Sequence, residues 1–448
     1  MRIQLSDHFS YKRLLRFVLP SILMIICTSV YSIVDGFFIS NFVGKTPFAA
    51  INLIYPVLMA VGTLGFMAGT GGSAIVSKTL GEGKPEKANQ YFSLLVYATL
   101  AFSILISVVG FIFIRPIAIV LGADGVLLDD CVLYARILFC SMPAFILQYL
   151  FQSFFIAAEK PGLSLKLNII AGLTNAVLDY LLIAVFPFGL AGAAAATAAG
   201  QLIGGIFPII YFARKNGSPL RLTKAKFNGR VLASACANGS SEMVTNLSAS
   251  VVSILYNFQL MSIAGENGVA AYGVIMYVNI IFMAIFLGYS IGSAPIVSYH
   301  YGAENHTELK SMFRKSLILL TVSGVILVVL SELVARPLVM IFTSYDPELL
   351  DMTASGFQLY ALAFLPMGFN VWGSAFFTAL NNGAVSACIS FLRTLVFQII
   401  VVLTLPILLG IDGIWLSIVA AELLSLAVTV SFLLVKRKRY QYASINSL

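Results

Sequence analysis

Charge is scarce in this chain. Only 10% of its 448 residues are Asp, Glu, Lys or Arg, against 59% hydrophobic residues and a mean hydropathy of +0.95. A soluble globular domain cannot cover that much apolar surface. Lipid must be the solvent, and apolar helices of about 20 residues are the means of crossing it. Histidine is nearly missing: His8, His300 and His306 are widely separated and offer no metal constellation. The five cysteines, Cys27, Cys131, Cys140, Cys236 and Cys388, lie in or beside apolar segments without a CxxC pair, which favours small hydrophobes over metal ligands or disulfides. No Ser/His/Asp, metal or P-loop pattern appears, so no enzyme is expected. The net charge of +8 sits in short loops between apolar runs. It therefore reads as a topology signal facing an anionic leaflet, with no nucleic-acid partner expected.

What the chain does have is an internal repeat. A shift of 221 residues places Gly44 on Gly265, Gly71 on Gly292, Gly81 on Gly302, Arg115-Pro116 on Arg336-Pro337, Gly189 on Gly410 and Gly192 on Gly413. The matches are mostly Gly, Pro and Ala, which set turns and close helix contacts. Apolar runs lie near 14–43, 47–77, 90–114, 127–157, 163–186 and 189–213, and again near 230–263, 268–299, 312–335, 352–380, 384–409 and 411–435. The expected fold is an all-α membrane protein of twelve transmembrane helices in two six-helix lobes. Six is even, so the copies start on one side, and the repeats are parallel about a pseudo-twofold axis along the membrane normal, with a substrate path between them. Residues 1–213 form the expected N-lobe, 214–229 a basic cytoplasmic linker and 230–448 the C-lobe. The first apolar run is too long for a signal h-region and is read as the first helix.

Lys and Arg orient the bundle. With the N-terminus inside, only Lys45, Arg115 and Arg336 fall outside, and Arg136 and Arg393 lie within apolar runs; every other basic residue faces the cytoplasm. Both termini are therefore expected to be cytoplasmic.

A carboxylate inside a membrane helix costs several kcal/mol unless neutralised, ion-bound or hydrated, so each is a candidate for function. Asp35 lies nine residues before the outer turn at Gly44, Asp179 eight before Pro187, and Thr197 eight after Gly189. At 1.5 Å per residue all three sit roughly 12 Å below the outer surface. Asn175 is one turn deeper than Asp179 on the same face. Two carboxylates, an amide and a hydroxyl at one depth suit a small hard cation, sodium on Asp35 and Asp179, or a proton shared between them. The repeat acts as a control: the matching residues are Tyr256, Val396, Ile400 and Ile418, so the shared scaffold does not require the cluster. Separately satisfied polar residues at helix kinks are the plain alternative.

The second half carries a different buried set: Glu242, Asn246, Arg393, Gln398 and Glu422. An Arg393–carboxylate pair that fixes packing is one reading, with Glu422 as the buried partner; Glu242 facing a cationic substrate is the other. The chain holds 34 Phe, 19 Tyr and 13 Met, enough adaptable apolar surface for promiscuous binding. Tyr31, Tyr55, Met59, Tyr256, Met276 and Tyr277, with Glu242 and Asn246, are candidates for a substrate cavity, core packing being the ordinary fate of each.

The stretch Val34-Asp35-Gly36-Phe37-Phe38-Ile39-Ser40-Asn41-Phe42-Val43-Gly44 resembles the first-helix signature of multidrug and toxic compound extrusion (MATE) transporters. Gly69-Thr70-Gly71-Gly72-Ser73 with Val76-Ser77-Lys78-Thr79-Leu80-Gly81, Asn175-Ala176-Val177-Leu178-Asp179 and Gly189-Leu190-Ala191-Gly192 are similar to its second-, fifth- and sixth-helix motifs. The likeness covers nearly the whole chain. It implies a V of two lobes whose central cavity opens to either side in turn, in a bacterial plasma membrane. It also implies export of cationic and other amphiphilic compounds in exchange for sodium ions or protons, with no bound cofactor and a single chain in lipid as the working unit. Asp35, Asn175, Asp179 and Thr197 are then the coupling residues. Where many members open the seventh helix with Gly-x-Pro, this chain has Asn238-Gly239-Ser240-Ser241-Glu242, so that helix's bend and substrate contacts do not carry over. A flippase for lipid-linked oligosaccharides shares the architecture but would be expected to line its cavity with several Arg and Lys. A non-transporting receptor would need no unpaired acids in the outer half.

Overall fold

In a computed structural model of the chain, residues 3–343 and 346–443 are described; Arg2 and the side chains of Ser32, Ile33, Ser40, Asn41, Lys45, Ile341, Phe342 and Thr343 lie outside the description. The described residues are almost wholly helical, with no strand among them. Helix α1 covers Tyr11–Phe38 and runs on as a π-helical turn, Ile39–Val43. It is followed by α2 (Lys45–Gly81), α3 (Pro85–Val120), α4 (Gly125–Ala157), α5 (Pro161–Asp179, extended by a π-helical turn over Tyr180–Val185) and α6 (Gly189–Ala213). The long run Gly229–Gly302 is divided at Gly265, where φ is +61°, into α7 (229–264) and α8 (266–302). Helix α9 is His306–Thr343, and α10 is the pair Pro347–Ala361 and Phe364–Ala379, bent by 50°. Gly383–Phe391, the π turn Leu392–Val396 and Phe397–Tyr440 follow; Gly410, with φ +60°, divides the last into the end of α11 (383–409) and α12 (411–440). The described residues thus make twelve spans in two six-helix lobes, as the apolar runs imply.

Local chemistry explains where the spans begin. Ser10, Asn228 and Asn382 each accept a hydrogen bond from a backbone N–H in the first turn of α1, α7 and α11. Pro85 and Pro161 stand in the first turn of α3 and α5, where no N–H is needed. The repeat is visible as backbone geometry: Gly189 and Gly410 have φ of +58° and +60°, and Gly44 and Gly265 are also left-handed. These turns require a residue without Cβ.

The two lobes meet along α2, α7, α8 and α1 near the end of the bundle that holds the chain termini, here called the terminal face. A Cβ on Gly81 would collide with the carbonyl oxygen of Tyr299, and one on Gly302 with that of Lys78. Because 299 and 302 are the repeat partners of 78 and 81, this is one contact seen from both sides of a pseudo-twofold axis. Gly71 likewise abuts Gly239 and Ala235, while its partner Gly292 abuts Val18. Backbone lies on backbone here, and these contacts close the described residues of the two lobes on one another at this face.

The N-terminal segment reinforces the closure. Leu5 N–H donates to Glu159 of the first lobe at 3.0 Å, and Phe9 N–H donates to Glu308 of the second at 2.9 Å. Lys315 Nζ also donates to the Phe9 carbonyl. Replacing Gly81 or Gly302 by Ala should force this contact apart and cost about 1–3 kcal/mol, read as a lower unfolding midpoint in detergent. Gly273→Ala, where a Cβ meets open space, should leave the midpoint unchanged. Equal midpoints for all three would contradict the close lobe packing.

Candidate functional site

Asp35 and Asp179 are brought together. Their carboxyl groups face one another across α1 and α5, with Asn175 beside Asp35. Asp179 is fully buried, and among the described residues both its carboxyl oxygens, like Asp35 Oδ1, meet no hydrogen-bond donor. Asn175 Nδ2 reaches Thr197 Oγ1 of α6 at 3.5 Å, so the four residues chosen from sequence form one cluster. Tyr31, Tyr55 and Tyr134 stand close enough to act electrostatically on Asp35, and Tyr134 also neighbours Thr197 and Asp179. Irregular backbone follows each carboxylate: the π turn Tyr180–Val185 begins at the residue after Asp179, and Ile39–Val43 begins four residues after Asp35. Such turns frequently mark functional sites in helices.

Chemically, this is an acceptor-rich cluster, with no positive side chain beside it among the described residues. Unsatisfied carboxylate oxygens in an apolar lobe are costly. A small hard cation, or a proton held between the two carboxyls, would satisfy them, and the neutral oxygens of Asn175 and Thr197 suit either occupant. Tyr134 is the member that sequence reading overlooked. The acids of its fourth helix, Asp129 and Asp130, lie at the outer end and draw attention away from it, and only the fold shows that its hydroxyl points at α6.

The second lobe resolves its polar residues differently. Arg393 Nε donates to both carboxyl oxygens of Glu422, at 2.8 and 3.1 Å. Asn370 Nδ2 donates to Glu422 Oε2 at 2.7 Å, and Thr429 Oγ1 donates to Asn370 Oδ1 at 2.9 Å. All four side chains are buried, so the network is satisfied internally and acts in packing. Asn370 was also missed; its polar role is visible only against its partners.

Tyr256 corrects a sequence expectation. It is 3% exposed, donates to Gln398 at 3.0 Å and stacks on Tyr272, so it belongs to the interior of the second lobe and not to a substrate cavity. As the repeat partner of Asp35, it joins α7 to α11 with a neutral hydrogen bond where the first lobe sets carboxyl against carboxyl. Met276 likewise packs on the second lobe's core. Tyr55 and Tyr277 are half exposed, Tyr31 and Met59 partly buried.

Glu242 lies between the lobes. With Thr70, Ser73 and Ser153 of the first lobe and Ser290 and Thr378 of the second, it lines a cavity of about 40 Å³ above the glycine contacts. That holds a few waters, not a drug-sized molecule. Asn246 donates its amide to the Glu242 backbone carbonyl at 2.8 Å, which leaves the Glu242 carboxyl free of that neighbour.

The MatE family model matches this sequence twice, over residues 20–181 and 243–404, once in each lobe. The chain belongs to the MatE family. Among curated relatives, the multidrug export protein MepA of Staphylococcus haemolyticus is 25% identical over 415 residues, covering 92% of this chain and 90% of that protein. Among solved structures, a MATE in complex with MaL6 superposes with a TM-score of 0.92 at 20% identity, covering 97% of this chain and 98% of that one. The outward-facing conformation of a multidrug resistance MATE family transporter superposes with a TM-score of 0.91 at 20% identity, with the same coverage. The resemblance drawn from the helix motifs therefore names the right family, and this member has the MATE fold.

Within that fold the contrast between lobes is testable. Arg393→Met leaves Glu422 buried beside only an amide and should cost about 3–5 kcal/mol, whereas Arg393→Met with Glu422→Leu should regain most of it. Thermal unfolding of the purified protein in detergent checks this. A single variant as stable as the double would show that the pair does not fix the packing.

Proposed function

We propose that this protein is a multidrug efflux antiporter, exporting amphiphilic and cationic organic compounds in exchange for a sodium ion or a proton. One observation carries the reading: buried Asp179 and partly buried Asp35 face each other, and among the described residues no donor meets either Asp179 oxygen or Asp35 Oδ1. A lobe built only for stability would have satisfied them, as Glu422 is satisfied in the second lobe. The curated relatives named as multidrug export proteins support the same direction.

The orientation with both termini in the cytoplasm follows from the distribution of Lys and Arg. With it, the glycine contacts of α2, α7 and α8 close the cytoplasmic side, and the molecule stands outward-facing. The Asp35–Asp179 pair then lies in the outer half of its lobe, where an incoming cation binds. Occupancy draws α1 and α5 together at their π turns, and repacking of α1 against α8 alters the lobe contact. That coupling works because the cation binds the two arrangements with different affinity. Glu242, at the floor of the path between the lobes, supplies the negative charge that favours a cationic substrate, with Tyr55 and Met59 as adaptable apolar wall. Arg393 is already engaged by Glu422, so it is not available to hold a pyrophosphate. That disfavours a lipid-linked oligosaccharide flippase.

Asp35→Asn and Asp179→Asn should each lower ion-driven efflux of a cationic dye at least tenfold in proteoliposomes while the protein still inserts and binds the dye. Efflux at the unaltered rate from both variants would refute the coupling role. Glu242→Gln should weaken binding of a monovalent organic cation about tenfold and leave a neutral substrate unaffected; equal losses for both would return Glu242 to a structural part.

A further inference from the structure

The helices that carry the carboxyl pair repeat a polar pair two turns nearer the terminal face. Thr28 stands seven residues before Asp35 on α1, and Asn168 seven before Asn175 on α5, each about 10 Å along its helix. Thr28 Oγ1 and Asn168 Oδ1 are 3.1 Å apart, and the amide nitrogen of Asn168, a residue only 3% exposed, has no partner among the described residues. Whichever way the amide is turned, one of its atoms meets Thr28 and the other faces a chamber.

Gln148 and Gln152 of α4 and Ser164 of α5 line that chamber with Asn168, all four more than nine-tenths buried. Gly204 of α6 makes room for it, since a Cβ there would press on the Gln148 amide. The space is about 10 Å³, enough for one water-sized occupant. Ser164 lies in the first turn of α5, so the chamber adjoins the terminal face. The Ser164 hydroxyl donates to Met24 Sδ at 3.2 Å, but three amides inside an apolar lobe are expensive unless something polar uses them.

Between chamber and carboxyl pair stands Tyr31. Its ring packs against Gly172, where a Cβ would lie 2.8 Å from the ring, and its hydroxyl neighbours both Thr28 and Asp35. The two compartments are therefore aligned but separated in this arrangement.

We propose that the chamber is a second, weaker cation site. In this reading the coupling cation leaves Asp35 and Asp179 through the interior of the first lobe, by way of Thr28, Asn168 and the Gln148–Gln152 chamber, and Tyr31 is the stop between them. The proposal rests on the coupling role given to the carboxyl pair. Neutral amide and hydroxyl oxygens suit a small hard monovalent cation, sodium or hydronium, yet hold it less tightly than two carboxyls, as release requires. Substrate and cation would then take different routes, the first between the lobes and the second within one.

The test is a leak measurement in proteoliposomes loaded with a sodium- or pH-sensitive dye, with a sodium or proton gradient imposed and no organic substrate present. Wild type and Tyr31→Phe should hold the gradient. Tyr31→Ala should dissipate it at least tenfold faster, in the arm matching the transported cation, and Asn168→Leu added to Tyr31→Ala should restore tightness. A tight Tyr31→Ala protein that still binds a fluorescent cationic dye overturns the role of Tyr31; a leak undiminished by Asn168→Leu overturns the route. As a second measure, Asn168→Leu alone should slow ion-driven efflux at least tenfold while preserving the ion-dependent thermal shift that Asp35→Asn abolishes. Unslowed efflux counts against the chamber, whereas an ion-dependent shift that survives Asp35→Asn counts against the carboxyl pair and leaves the leak result to be read separately.

Discussion

Burying Asp179 against Asp35 costs free energy that the described side chains of the lobe return only in part. Both oxygens of Asp179 and one of Asp35 find no donor among the described residues, and the neighbouring groups are an amide, a hydroxyl and tyrosines. Everything particular to the first lobe is arranged about that deficit. Helix α1 and helix α5 both lose regular winding just beyond their carboxyl groups, and the polar residues two turns away face inward where lipid-facing or apolar residues would be cheaper. A local deficit of this kind is what a transported cation can relieve, and relief that depends on helix position is what allows binding to do mechanical work.

The second lobe serves as an internal comparison. It has the same turns at Gly265 and Gly410 as the first at Gly44 and Gly189, and the same helix order, yet its buried carboxylate is paired. Glu422 is met by Arg393 and Asn370, and Tyr256 by Gln398. One backbone plan thus carries a closed network on one side and an open one on the other. A satisfied ion pair and an unsatisfied acid pair are divided between copies of a single scaffold, which leaves each free to diverge without disturbing the other.

Close packing at the terminal face gives the two lobes a defined seat. Glycines at repeat-related positions place helix backbone on helix backbone, and the N-terminal segment ties Glu159 of one lobe to Glu308 of the other. Such contacts are discrete: they are either seated or parted, because a close-packed interface has no soft intermediate. The small cavity at Glu242 lies just above this seat, so parting the lobes would change the surroundings of that carboxyl directly.

Much of this was legible in the chain alone. Apolar run length fixed the number of spans, since hydrocarbon thickness allows few other lengths. The 221-residue register fixed the two-lobe plan, because left-handed turns and backbone contacts tolerate only glycine at Gly189, Gly410, Gly81 and Gly302. Acids in the middle of apolar runs stood out as Asp35 and Asp179 for the same energetic reason that they matter in the fold. What needed the tertiary structure were choices between equally plausible neighbours. Tyr256 had the composition of a cavity residue and lies in a core; Tyr134, Asn168 and Asn370 had no distinguishing pattern and lie at polar junctions. Helix periodicity gives the face on which a residue stands, but the rotation of one helix against the next is set by packing among all twelve. Only that packing decides whether a polar side chain meets a partner, a cavity or another acid.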